Sequence, residues 1–128
     1  MPVSSGPAAV LEGSCHCGAV RLSLHAAPGH LIDCNCSICR RHAALWALLD
    51  ASAVSVSGHP GNTTGYEWGK RSIRTFHCST CGCVTHWESV APDAGTRLGV
   101  NMRNFDPDAF AVFPIRRFDG AHTWTYLD

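Results

Sequence analysis

The 128-residue chain carries eight cysteines, and they fall into three tight groups. Cys15 and Cys17 form a C-x-C pair, Cys34, Cys36 and Cys39 form C-x-C-x-x-C, and Cys78, Cys81 and Cys83 form C-x-x-C-x-C. Thiolates one or two residues apart can face one ion from a single turn. Soft sulfur donors favour zinc among the common metals, in a tetrahedral shell with Zn–S of about 2.3 Å. Iron–sulfur ligation is the competing use of such a set. Disulfides compete poorly, because cysteines this close together bridge only with strain. A single cysteine reads as readily as a small buried apolar side chain, but that reading does not account for eight at these spacings.

The two most similar half-sites are "CHCG" and "CSTCG", each with a glycine after its second cysteine, Gly18 and Gly82. Glycine lets the backbone curl around a metal. Each such knuckle supplies two ligands and needs a distant partner. Pairing the two gives a closed four-thiolate site of Cys15, Cys17, Cys78 and Cys81 that staples one hairpin to another. Cys34, Cys36 and Cys39 then hold a second ion with a fourth position to fill, so two zinc ions per chain are expected. An open fourth position is the mark of a catalytic zinc, and a filled one of a structural zinc. Cys83, otherwise a buried thiol, and His42 are the candidates for filling it.

Short strands must position these groups. "VLEGSCHC" and "GAVRLSLHA" read as two strands about a tight turn, since Val20, Leu22 and Leu24 alternate with polar residues. A short helical turn is expected through "SICRRHAA", and strands in "ALWALLD" and "AVSVSG". "HPGNTTG" reads as a turn cluster. "YEWGK" and "RSIRTFHC" suggest a hairpin around Gly69-Lys70, and "VTHWESV" and "TRLGVNM" two further strands. "DPDAF" suits a single helical turn, and "IRRFDGAHTWTYL" closes the chain, split at Gly120. The expectation is a mostly β, single-domain fold of small antiparallel sheets, with residues 1–8 a mobile tail and 9–128 the domain.

Composition bounds the function. The chain is 45% hydrophobic and 16% charged with zero formal net charge. That gives no general attraction for nucleic acid and permits self-association as a homodimer. No run reaches the roughly 18 apolar residues of a membrane span. The start has no basic stretch followed by an apolar one, so a cytoplasmic protein with reduced cysteines is expected.

The segments "GSCHCGAVRLSL", "CNCSICRRHAA", "FHCSTCGCVTHW" and "IRRFDGAHTWTYL" resemble the glutathione-dependent formaldehyde-activating enzyme family, which includes centromere protein V. The likeness spans roughly residues 10–127. It implies a zinc-stapled β-tent of small antiparallel sheets. It implies that Cys15, Cys17, Cys78 and Cys81 hold the structural zinc and that Cys34, Cys36 and Cys39 hold the catalytic one. It also implies the family's reaction, a carbon–sulfur lyase step joining glutathione and formaldehyde as S-hydroxymethylglutathione. The family more often has a small polar residue where this chain has Cys83, which bears on whether the second site is open.

An open zinc would lower the pKa of a bound thiol or polarise the carbonyl as a Lewis acid. Glutathione's two carboxylates need cations, and Arg40, tethered to the cysteine loop, is the leading substrate contact. Arg41, Lys70, Arg71 and Arg74 are further choices. His16, His77 and His86 read as packing along strands, and the four tryptophans as core or cleft lining. The expected activity is a zinc-dependent carbon–sulfur lyase acting on a thiol–aldehyde adduct. The alternative is a non-catalytic zinc module that binds a protein or another macromolecule.

Overall fold

The computed structural model describes residues 9–69, 71–91 and 96–128. The expected tail at 1–8, and Lys70 in the expected hairpin turn, lie outside them. The described residues form ten short strands. β1 (Leu11–Ser14), β2 (Arg21–Leu24) and β5 (Val54–Ser57) make a three-stranded antiparallel sheet in the order β1-β2-β5. The other seven are β3 (Leu31–Cys34), β4 (Trp46–Asp50), β6 (Thr63–Tyr66), β7 (Ile73–Cys78), β8 (Val84–Ser89), β9 (Arg97–Asn101) and β10 (Ile115–Phe118). They form one sheet in the order β10-β3-β4-β9-β8-β7-β6. Helix is confined to single turns, α1 (Cys39–His42) and α2 (Pro107–Phe110), and two 3-10 turns at 51–53 and 102–104. No helix among the described residues is long and apolar enough to cross a membrane.

Period-two alternation explains how the sheets divide the core. Leu22 and Leu24 of β2 meet Ala47 and Leu49 of β4 and Leu98 and Val100 of β9 in the main cluster between the sheets. The intervening residues of β4, Trp46 and Leu48, point to the opposite face. There they join Ile32, Cys34, Cys36, Cys39 and Trp87 in a second cluster. One face of β4 therefore supports the fold, and the other carries the loop of Cys34, Cys36 and Cys39. Gly99 of β9 pairs with Trp87 of β8. A side chain at Gly99 would occupy the space of the Trp87 indole, so the glycine is what lets that ring lie flat on the sheet.

Three details differ from the sequence reading. β3 had no alternating pattern to reveal it, because Leu31, Ile32 and Cys34 are all buried, with residues serving both faces. The hairpin partner of β7 is Thr63–Tyr66, inside the expected turn cluster, so "YEWGK" contributes only Tyr66 to the strand. β6 lies at the sheet edge, where a polar strand is tolerated. Gly65 leaves room for the Arg74 side chain, which pairs with Glu67. Lastly, β10 returns to pair with β3 in parallel, Ile115 opposite Leu31 through Phe118 opposite Cys34, while the other strand pairs are antiparallel.

Candidate metal centres and the groove beside them

The first cysteine group forms where the β1–β2 connection meets the β7–β8 connection. The Sγ atoms of Cys15, Cys17, Cys78 and Cys81 all lie within 4.8 Å of one another. Cys15–Cys17 and Cys17–Cys78 are separated by 3.7 and 3.6 Å. Four sulfurs at about 2.3 Å from a tetrahedral ion stand roughly 3.8 Å apart, and these two spacings match that figure.

The two knuckles repeat one another. Gly18 and Gly82 both sit at φ of +82°, and their N–H groups donate to the carbonyls of Cys15 and Cys78 at 3.1 and 2.9 Å. The backbone N–H groups of Val20 and Thr80 donate to the sulfurs of Cys15 and Cys78 at 3.3 and 3.4 Å. Such donors favour the thiolate that a metal requires. Backbone N–H groups of Cys83 and Cys17 bring Cys81 down to about 5.

The second group is assembled on β3, the loop after it and α1. Cys34, Cys36 and Cys39 also have Sγ atoms within 4.8 Å of one another. Their loop curls because Arg40 and His42 N–H groups donate back to Cys36 and Ile38 carbonyls, and Ala43 at φ of 53° ends the turn. The Trp46 indole N–H donates to Cys39 Sγ at 3.3 Å. Hydrogen bonding from the Cys39 thiol, helped by the N–H groups of Cys36 and Gly120, holds Cys34 down at about 6 despite its burial. The same thiol pair and burial push Cys39 strongly up.

The C-terminal segment closes over this group. The Asn35 side chain donates to Asp119 at 2.9 Å and accepts from the Ala121 N–H at 3.0 Å. Asp119 also accepts from the Thr123 hydroxyl at 2.9 Å. That latch sets Gly120 against Cys34, where an added Cβ would stand 2.6 Å from Sγ and 3.2 Å from the Cβ of Cys36. Gly120→Val is therefore expected to displace Cys34 and remove the metal from the second group alone. Metal analysis should show one equivalent lost with the melting profile still cooperative.

A groove of about 620 Å³ opens beside the second group. Ser37 and Ile38, the residues between Cys36 and Cys39, form one wall with Arg41 and His42, and Tyr66, Trp68, Phe76 and His77 form the other. The structure thus places Arg41, not Arg40, in the groove wall. Arg40 is exposed on the same helical turn. His42 Nδ1 is buried without a hydrogen-bond partner. Burial, with His77 nearby, pushes its pKa down, so the imidazole is neutral.

Neither candidate fourth ligand joins the three cysteines. Cys83 packs beside Cys15, Val20 and Cys78 in the first group's cluster. A backbone hydrogen bond from His16 favours its thiolate, but burial and the neighbouring Cys81 and Cys15 win and push the thiol up. Among the described residues, no fourth cysteine, histidine or carboxylate completes the second group. Strand alternation reads His77 as packing, yet it lines the groove. The same alternation reads His86 as packing and assigns His59 no role, although these two meet Glu88 in a third cluster. A period-two pattern says which face a residue takes, not which loop lies over it.

The profile of the family described as glutathione-dependent formaldehyde-activating enzyme matches residues 10–116. The chain is also similar to a Rhodobacter sphaeroides protein of known crystal structure. That match has 32% identity and a TM-score of 0.65, and covers 82% of this chain and 99% of that one.

Proposed function

We propose, from the premise that this chain belongs to the glutathione-dependent formaldehyde-activating enzyme family, that it is a zinc-dependent carbon–sulfur lyase. It would join a thiol such as glutathione to an aldehyde such as formaldehyde and catalyse the reverse step. The observation that carries this reading is a three-cysteine group without a fourth protein ligand among the described residues, its loop forming the wall of a groove. Two ions per chain are part of the proposal, one in each cysteine group.

Zinc held by Cys34, Cys36 and Cys39 would supply Lewis acidity, lowering the pKa of a thiol or polarising a carbonyl. The chain supplies the rest. Arg41 takes a carboxylate of the thiol substrate, the contact expected of Arg40, and fixes its orientation in the groove. Tyr66, Trp68 and Phe76 provide an apolar wall against which the substrate packs. A carbon–sulfur bond forms between the thiol sulfur and the carbonyl carbon, and the thiol proton ends on the new hydroxyl oxygen. Neutral His42 is suited to accept that proton and return it. No electron is exchanged, so no redox partner is needed.

The test is the rate at which formaldehyde exchanges with its glutathione adduct. It should exceed the uncatalysed rate, and Cys36→Ser should abolish the excess. Arg41→Ala should raise KM by roughly five- to a hundred-and-fiftyfold, as loss of a charged hydrogen bond of about 1–3 kcal/mol requires, while Arg40→Ala leaves it within about twofold. No acceleration in protein that retains both metals would favour the alternative, a non-catalytic zinc module.

A further inference from the structure

Two histidines and a carboxylate that belong to neither cysteine group converge on one face of the seven-stranded sheet. His86 and Glu88 are two apart on β8 and so project to the same side, and His59 reaches them from the turn between β5 and β6. Glu88 Oε2 lies 2.7 Å from His59 Nε2 and 3.0 Å from His86 Nε2. All three ligating atoms lie within 4.8 Å of one another. Donors at about 2.1 Å from an octahedral ion stand roughly 3.0 Å apart, and from a tetrahedral ion roughly 3.4 Å.

The outer partners permit a tautomer in which both Nε2 lone pairs face inward. His59 Nδ1 is 2.7 Å from the Thr63 hydroxyl, and His86 Nδ1 is 2.9 Å from the Thr85 hydroxyl. Each hydroxyl has one proton and a backbone carbonyl in reach, Pro60 for Thr63 at 3.5 Å and Phe76 for Thr85 at 3.4 Å. With that proton on the carbonyl, the hydroxyl oxygen accepts Nδ1–H and the imidazole turns a bare Nε2 lone pair inward. In that tautomer two lone pairs and a carboxylate converge as three Lewis bases that a cation would join, whereas in the other tautomer each Nε2–H donates to Glu88. Metal-ligating histidines are held in this way, donating their other N–H to an outer acceptor.

The pocket is built around them. A β-bulge puts Thr85 and His86, adjacent on β8, both fully out of solvent. Phe76 stacks on His86 at 5.0 Å, and His59 meets both rings edge-on at 4.5 and 4.6 Å. Burial is the main cause that keeps His86 below its ordinary pKa, and so neutral. The open side is at Glu88, whose side chain keeps 35% of its exposure.

We propose that His59, His86 and Glu88 form a third metal site, for a borderline divalent transition ion such as Zn²⁺ or Co²⁺. The donor set of two imidazoles and one carboxylate sets the class: hard Ca²⁺ and Mg²⁺ prefer all-oxygen shells, and soft ions prefer the thiolates. The ion would fix the 58–62 turn to β8.

Co²⁺ titrated into the whole protein as isolated tests this, read by imidazole nitrogen NMR and absorption together. One equivalent should broaden the His59 and His86 resonances without the intense near-ultraviolet thiolate-to-cobalt absorption of a cysteine site. Glu88→Gln and His59→Asn should weaken that uptake more than tenfold. Thr85→Val, which removes an outer partner, should weaken it by roughly ten- to a hundredfold. Cys36→Ser should leave it unchanged, which separates this site from the lyase reading. Glu88→Gln keeps size and shape, so it carries the test if His59→Asn does not fold. Unaffected imidazoles, uptake that survives Glu88→Gln, or cobalt that appears only with thiolate absorption would each overturn the site. Any of these would leave the trio a structural hydrogen-bond network.

Discussion

Cys78→Ser is expected to give unfolded or insoluble protein, whereas Cys36→Ser stays folded and gives up one zinc. Cys78 is fully buried at the end of β7, and its sulfur accepts from the Asn62 amide and the Thr80 N–H, both at 3.4 Å. A metal shared by Cys15, Cys17, Cys78 and Cys81 would join the hairpin of the three-stranded sheet to the seven-stranded sheet. Cys17 and Cys78 are 61 positions apart. Closing a loop of that length by a cross-link is worth about 4 kcal/mol in chain entropy, set against a net stability of about 5–15 kcal/mol for an ordinary domain. The binding energy of the ion itself adds to the loss.

Cys34, Cys36 and Cys39 span only six positions, so a metal there constrains little of the unfolded chain. Cys36 is only half-buried, and the core between the sheets does not touch it. Thermal melts with zinc analysis on both variants decide the matter. A folded Cys78→Ser beside an unfolded Cys36→Ser would reverse the two assignments.

What could be read from the sequence was local. The spacing of Cys78, Cys81 and Gly82 already describes the turn they make, because a knuckle is closed by hydrogen bonds within five residues. The pairing of knuckles also followed, since "CHCG" and "CSTCG" present matching halves. β3 escaped because a strand buried on both faces loses its alternation. β6 escaped because an edge strand of threonines and glycine looks like a turn. The choice between Arg40 and Arg41 depends on the phase of one helical turn and on the left-handed residue, Ala43, that ends it. The cover supplied by Gly120 depends on the parallel return of β10 beside β3. The meeting of His59 with His86 and Glu88 depends on a turn folding over a bulge 27 positions away. Residues brought together by non-neighbouring chain segments leave no periodic trace.

Glutathione should add one sulfur to the shell of the second metal, seen as a shift in its zinc X-ray absorption spectrum. The expectation rests on the ligand count: three cysteine sulfurs in reach, with Cys83 packed against Cys15 and Cys78 and His42 on the groove wall. Zinc in a tetrahedral shell takes four donors, and the fourth would come from solvent or from the groove. Arg41→Ala should weaken glutathione binding by roughly 1–3 kcal/mol without loss of metal, because Arg41 is not among the residues that could hold it. Its guanidinium donates to the Ser37 carbonyl at 2.7 Å, so it stands beside the loop and outside the metal shell. Cys83→Ser should leave both metals in place and the glutathione shift unchanged. An unchanged spectrum with glutathione, together with one zinc lost in Cys83→Ser, would mean that Cys83 reaches the second metal and closes it. The lyase reading would then be abandoned for a structural one. A shift that occurs in wild type, survives Cys83→Ser and disappears in Cys36→Ser would locate the thiol at Cys34, Cys36 and Cys39.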